Sequence, residues 1–139
     1  EQEFFEVEAF RGTGYHREGP VMPAGELEVA VEATVKLWID GERIAAVGEG
    51  NGPVNALDAA VRQALSGRYP ALSRIHLTDF KVRVLDGGAA TGAVVRVLID
   101  STDGEAVWTT VGVHSNVIEA SWQALMDSLL YGLLRAEQP

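Results

Sequence analysis

The chain has 139 residues, 47% of them apolar and 22% charged, with no cysteine and a formal net charge of −9. The lack of cysteine excludes disulfides and thiolate chemistry. The acidity argues against a phosphate-backbone partner, which needs a basic face, and against adhesion to anionic membranes. One domain with a real core is expected at this length. No apolar run approaches the ~20 residues of a spanning helix and no signal peptide opens the chain, so the expected location is cytoplasmic. The start, Glu1-Gln2-Glu3-Phe4-Phe5, lacks an initiator Met and reads as a domain cut from a longer polypeptide.

A first strand is expected from Phe4 to Phe10, followed by an insert rich in Gly and Pro at residues 11–25 that reads as a mobile loop. Alternation then places Val29, Val31, Ala33, Val35, Leu37 and Ile39 on one face of a strand. Asp40-Gly41 turns the chain into a short partner strand, Ile44 to Val47. Next comes Gly48-Glu49-Gly50-Asn51-Gly52-Pro53, a glycine-rich junction leading into a helix from about Pro53 to Leu65. Pro53 suits the first helical position, and Gly52 or Asn51 can cap. The free N–H groups of such a start suit a carboxylate; the plainer alternative is a well-made turn. Neither Gly-x-Gly-x-x-Gly nor a Lys-Ser/Thr ending is present, so a nucleotide site is not indicated. Val54, Leu57, Val61 and Leu65 form the apolar stripe, and Ser66-Gly67 ends the helix.

The second half has the same plot. Strands are expected at Ile75–Leu85, Val94–Asp100 and Val107–Val113, with a turn at Asp103-Gly104. A helix then starts near Ser115-Asn116, with Asn116 as cap and Glu119 placed to reach back. Ile118, Trp122, Leu125, Leu129 and Leu133 are its stripe, and Met126, Leu130 and Tyr131 extend its apolar surface, suggesting burial against a second subunit. The halves align as Ala33, Val35, Ile39 and Asp40 with Ala93, Val95, Ile99 and Asp100. After a four-residue slip at the turn, Val47, Gly48, Ala56, Ala60 and Leu65 match Val111, Gly112, Ala120, Ala124 and Leu129. The expected fold is therefore α+β: two pseudo-symmetric βββα units, about 1–67 and 73–136, with antiparallel or mixed sheets and helices packed on one face. A three-stranded sheet with one helix leaves a face to cover, by its twin or by a second chain.

No catalytic constellation is visible. His16, His76 and His114 lack ligand spacing, so no metal and no cofactor are expected. Ser115 and Ser121 have no His–Asp partners in sequence. Trp38, Trp108 and Trp122 are expected in the core or at a subunit interface. Asp79, in Leu77-Thr78-Asp79-Phe80-Lys81, sits mid-strand, where Asp is unfavourable. It either points outward to a neighbouring Lys or Arg, or faces a pocket and accepts an ammonium group.

Three tracts carry a resemblance: Gly50-Asn51-Gly52-Pro53-Val54-Asn55-Ala56-Leu57, Leu77 to Leu85, and Gly112 to Ser121. They are similar to the C-terminal regulatory domain of 2-isopropylmalate and citramalate synthases, over essentially the whole chain. Arg96-Val97-Leu98-Ile99-Asp100-Ser101 and Ala120-Ser121-Trp122-Gln123-Ala124-Leu125 look closer to the citramalate branch. The resemblance implies a homodimeric domain that binds an end-product amino acid, isoleucine or leucine, and inhibits the catalytic domain of the same polypeptide. That catalytic part, a metal-dependent TIM barrel joining acetyl-CoA to a 2-oxo acid, is not in this sequence, so no catalysis is expected of the chain itself. It also implies an effector site of Asn51, Gly52, Val54, Leu77, Asp79, Phe80, Val84, His114, Ser115 and Val117. The pair His114-Ser115 departs from the family pattern. The favoured function is isoleucine-dependent feedback inhibition; the alternatives are a leucine sensor and a dimerisation module without effector binding.

Overall fold

The computed structural model describes residues 5–16, 29–86 and 93–138. It divides into two compact units, Glu1–Ala64 and Leu65–Pro139. Unit 1 holds β1 (Glu6–His16), β2 (Val29–Ile39), β3 (Glu42–Gly50) and α1 (Pro53–Ala64). Unit 2 opens on a 3-10 turn (Pro70–Arg74) and continues with β4 (His76–Asp86), β5 (Ala93–Thr102), β6 (Val107–His114) and α2 (Val117–Glu137). Each unit is a three-stranded antiparallel sheet in chain order with its helix on one face. The α+β, twice βββα architecture is as the alternation predicts.

Strand lengths differ from the expectation. β1 runs through residue 16, so the first part of the expected insert is strand, paired from Arg11–Thr34 to His16–Val29. Phe4 and residues 17–25 of that insert lie outside the described residues. β3 extends to Gly50 because Val31 on β2 supplies a partner to its last residue. Ile75 is not in β4; it ends the 3-10 turn and is buried.

The inner face of β2 is Ala33, Val35, Leu37 and Ile39, all buried, opposite Ala46 and the rest of β3. From α1, Val54, Leu57 and Val61 are wholly buried, and each such side chain contributes roughly 1.5–3 kcal/mol. In unit 2 the inner face is Val95, Val97 and Ile99 with Trp108, beneath Leu125, Leu129 and Leu133 of α2. Trp122 is also buried, whereas Trp38 is 40% exposed and belongs to neither core.

The repeat is a matter of backbone contact. Gly48 faces α1 so closely that a methyl group there would overlap the Ala60 amide and lie 2.7 Å from the Ala56 carbonyl oxygen. Gly112 stands in the same relation to α2: a methyl group would overlap the Ala120 carbonyl oxygen and lie 2.9 Å from the Ala124 amide nitrogen. A strand glycine against two helix alanines lets the backbones approach closely. Gly48 pairs with Ala33, and Gly112 with Val97. The true correspondence for the middle strands is therefore Ala33 with Val97 and Val35 with Ile99. No slip occurs at the turn, and the expected match of Ala33 to Ala93 is displaced by four residues. Side chains alternate with period two, so a displacement of four preserves the buried face and escapes a pattern match. β1 and β4 also share a bulge, between Val7 and Ala9 and between Leu77 and Asp79, after which Phe10 pairs with Val35 and Phe80 with Ile99.

Unit 2 is the more elaborate. Where unit 1 has Leu37 and Ala64, unit 2 has Ser101 and Ser128, both wholly buried and hydrogen-bonded to each other. Trp108 donates its indole N–H to the Ser128 carbonyl at 3.1 Å and packs against Tyr131, with ring centroids 5.1 Å apart. Past these, Arg135 Nε donates to Asp103 Oδ2 at 3.0 Å, tying the end of α2 to the β5–β6 turn.

Candidate functional site

The implied effector residues fall into three groups, one in unit 1 and two in unit 2. In unit 1, Asn51 and Gly52 form the β3–α1 junction and Val54 lies in the first turn of α1. The Val54 side chain is wholly buried, so its contribution to a site is its main chain. Asn51 does not cap the helix: its Oδ1 accepts from Asn55 Nδ2 at 2.7 Å. Pro53 has no N–H, the first α1 turn carries no acidic residue, and the Ala56 N–H is taken by the Gly52 carbonyl. Among the described residues no side chain accepts from the Val54 or Asn55 N–H, so two of the donors that open α1 stay available.

The corresponding junction in unit 2 is closed. Asn116 Oδ1 accepts from Ile118 N at 2.7 Å and from Glu119 N at 3.2 Å. His114 Nδ1 accepts from Asn116 N at 3.0 Å. Gln123 Oε1 accepts from Val113 N at 3.0 Å. With Glu119 also in its first turn, α2 has already satisfied its positive end. The expected cap by Asn116 is present; His114 and Ser115 are exposed, and Val117 is half-buried.

The third group lies on β4. The bulge at Thr78 sets Leu77 opposite Ser101 and Phe80 opposite Ile99, so Leu77, Phe80, Val82 and Val84 share the helix-side face. Without the bulge, alternation would put Leu77 and Phe80 on opposite faces. α2 packs on β5 and β6 and stops short of this row, leaving Phe80, Val82 and Val84 at 36%, 45% and 67% exposure. Val84 pairs with Val95, which pairs with His114, so Val84 and His114 share a row across the sheet, two strand spacings or about 10 Å apart. Val82 belongs with Phe80 and Val84 by the same alternation, a signal the sequence already carried.

Asp79 is not with them. It pairs with Asp100, on the face turned away from α2. It is exposed, and among the described residues it has no ion pair. Of the two readings of Asp79, the outward orientation holds without the cationic partner; its cross-strand neighbour is a second carboxylate, whose Oδ1 accepts from Thr109 at 2.6 Å.

Among the described residues the carboxyl moved furthest from its ordinary value lies elsewhere in unit 2. The Asp103 carboxyl is lowered to about 2 by the backbone N–H groups of Ala106 and Glu105 and then by Arg135. In unit 1 burial raises the Asp58 carboxyl, partly offset by Arg62 Nε at 2.9 Å. Both are structural ties of a helix or turn. Among the described residues no group of three or more His, Asp or Glu could hold a metal ion, and no helix is long and apolar enough to cross a membrane.

Residues 21–133 match the LeuA allosteric (dimerisation) domain. An (R)-citramalate synthase of Streptomyces coelicolor is 54% identical over 133 residues, covering 96% of this chain and 24% of that protein. Another from Aquifex aeolicus is 44% identical over 137 residues, covering 99% and 25%. A 2-isopropylmalate synthase of Solidesulfovibrio magneticus is more distant, 34% identical over 105 residues, covering 76% and 19%. The chain thus spans about a quarter of the length of the citramalate synthases it matches. With a family match over residues 21–133, most of the sequence, the chain belongs to the LeuA allosteric (dimerisation) domain family.

Proposed function

We propose that this domain binds a branched-chain amino acid, isoleucine before leucine, and relays feedback inhibition to a citramalate synthase catalytic domain in the same cytoplasmic polypeptide. The observation that carries this is the contrast between the two helix starts. α2 is closed by Asn116, whereas the Val54 and Asn55 N–H groups of α1 meet no side-chain acceptor among the described residues. In this reading the effector carboxylate takes those N–H groups. Carbonyl groups of the Gly50–Gly52 loop hold the ammonium, since Asp79 faces away from the apolar row of its own strand. In unit 2, Leu77, Phe80 and Val84, on a row that α2 leaves open, are proposed as the apolar effector residues of that unit. His114, Ser115 and Val117 are proposed to act around the second junction. The preference for isoleucine is supported by the higher identity to citramalate synthases than to the isopropylmalate synthase. No cofactor or metal has a part, and the chain performs no catalysis of its own. Inhibition is a coupling free energy, so the effector must bind two states of the homodimer unequally.

Calorimetric titration with isoleucine, leucine and valine tests this. Heat that saturates for isoleucine at lower concentration than for leucine, and weakly or not at all for valine, is the expected outcome. The two larger ligands differ only in the position of a methyl group, worth ~1–3 kcal/mol. Preference for leucine would move the domain to the isopropylmalate branch, and no heat from a folded dimer would leave a dimerisation module.

A further inference from the structure

Unit 2 holds a cleft that the effector reading does not use. It lies at the end of α2 remote from Asn116, about 30 Å along this 21-residue helix. Its volume is about 500 Å³, within the range of small-molecule sites. The walls come from the 3-10 turn, the β5–β6 turn and the last turn of α2. Buried Ile75 supplies the apolar part of the lining. A methyl group on Gly132 would lie 2.5 Å from Ile75 Cδ1, so the bare glycine lets α2 settle onto the isoleucine.

Charged groups of both signs line this cleft. Arg135 is held in place: its Nε donates to Asp103 Oδ2 at 3.0 Å, and its guanidinium lies 5.9 Å from the Trp108 ring centroid. Asp103 is itself fixed, because its Oδ1 accepts from the Glu105 and Ala106 N–H groups at 3.0 Å each. The two terminal nitrogens of Arg135 meet no acceptor among the described residues, so an oriented fork of donors stays available. Arg74, from the 3-10 turn, and Glu105, from the β5–β6 turn, are exposed, and neither side chain has an ion pair or hydrogen bond among the described residues. The last carbonyls of α2 have no partner within the helix; that of Arg135 accepts from the Gln138 N–H at 3.2 Å.

The sum of these charges selects the ligand. Asp103 and Arg135 cancel, which leaves one cation, Arg74, and one carboxylate, Glu105. A simple anion would suit the arginines but meet Glu105 and the negative end of α2. A simple cation has the opposite defect. We propose that the cleft binds a small polar zwitterion, an amino acid unlike the branched effector, at a site separate from the effector residues. Arg74 and the terminal nitrogens of Arg135 take its carboxylate. Glu105 and the closing carbonyls of α2 take its ammonium. Gln138 and the Asp103-Gly104-Glu105 turn make the remaining wall polar, which favours a polar side chain over a branched apolar one. Because Arg135 is already oriented, little ordering is needed on binding.

The test is a titration of ¹⁵N-labelled chain with L-serine, beside glycerate, which lacks the ammonium, and ethanolamine, which lacks the carboxylate. Serine is expected to move the Arg74, Gly104, Glu105 and Gln138 amides in a saturable way, and the two controls to do so far more weakly. Arg74→Ala and Glu105→Gln should each weaken serine binding about 10-fold or more. Both variants should unfold in urea like the wild type, since neither side chain is bonded within the chain. Glycerate binding as well as serine would overturn the zwitterion in favour of a plain anion site, and ethanolamine doing so would overturn it in favour of a cation site. Absence of saturable shifts with serine, or shifts that survive both substitutions, would overturn the site itself. Isoleucine shifts centred on these four amides would overturn the polar preference. Effector binding at α1 is read separately, at Val54 and Asn55, so failure here leaves that reading intact.

Discussion

Replacing Gly112 by Ala tests the contact on which the repeat depends. The added methyl group would overlap the Ala120 carbonyl oxygen and lie 2.9 Å from the Ala120 carbonyl carbon and the Ala124 amide nitrogen. All three are backbone atoms of α2, so no side chain can turn aside and the helix itself must retreat. Overpacking a core costs about 1–3 kcal/mol when neighbours can adjust. A shift of 0.5–1 Å across the face forfeits a quarter to a half of the dispersion energy of each contact it opens. Wholly buried Leu125 and Leu129 lie on the retreating helix and Val97 and Ile99 on the strand beneath. The cost should therefore reach ~3 kcal/mol, a fall in Tm of roughly 10 °C for a domain of this size. Gly48→Ala should cost a similar amount against α1. Gly52→Ala, where nothing lies within 4 Å, should stay within ~0.5 kcal/mol of wild type. Urea unfolding followed by circular dichroism measures all three. If G112A and G48A unfolded like G52A, the close approach of strand and helix would be wrong, and with it the structural basis of the repeat.

Asp103 is depressed to about 2 from 3.8, so its contribution is present above about pH 4 and is lost as pH falls through 2. Asp103→Asn should accordingly destabilise the domain at pH 7, with the difference from wild type closing between pH 4 and 2 in acid-unfolding curves. Ser128→Ala removes a partner from buried Ser101 and should cost about 1–3 kcal/mol, with Ser101→Ala/Ser128→Ala costing less than the sum of the single changes in denaturant titrations. Asn116→Ala should cost ~1 kcal/mol as a lost cap, while Asn51→Ala should cost clearly less, because Asn51 binds Asn55 and caps nothing.

Much of this architecture is legible in the residues because the cores are written in period two and period three-to-four. Val35, Leu37 and Ile39 on β2 and Leu57 and Val61 on α1 are buried where alternation and helical spacing put them. The Asn116 cap is legible for a local reason: the side chain reaches only its own next two or three residues. What escapes is whatever depends on a partner strand. Nothing in Leu77-Thr78-Asp79-Phe80 marks Thr78 as a bulge, yet that one residue carries Leu77 to the face of Phe80 and leaves Asp79 on the other. The correspondence of the halves is displaced by four residues for the same reason, since Ala93, Val95 and Val97 present equally good apolar alternation at either register. β1 extends past Phe10 because β2 supplies pairing partners to Gly12 and Gly14, glycines that read as loop when taken alone. The different states of the two helix starts depend on where one amide turns: Asn51 to Asn55, Asn116 to its own helix.

The most direct test of the account is an isoleucine titration of uniformly ¹⁵N-labelled chain, following the amide resonances of Val54, Asn55, Ile118 and Glu119. With its carboxylate on the open start of α1, isoleucine should move the Val54 and Asn55 amides strongly downfield in a saturable way. The Ile118 and Glu119 amides, held by Asn116, should move little. Saturable shifts centred on Ile118 and Glu119, with Val54 and Asn55 unmoved, would contradict the assignment of the effector carboxylate to α1.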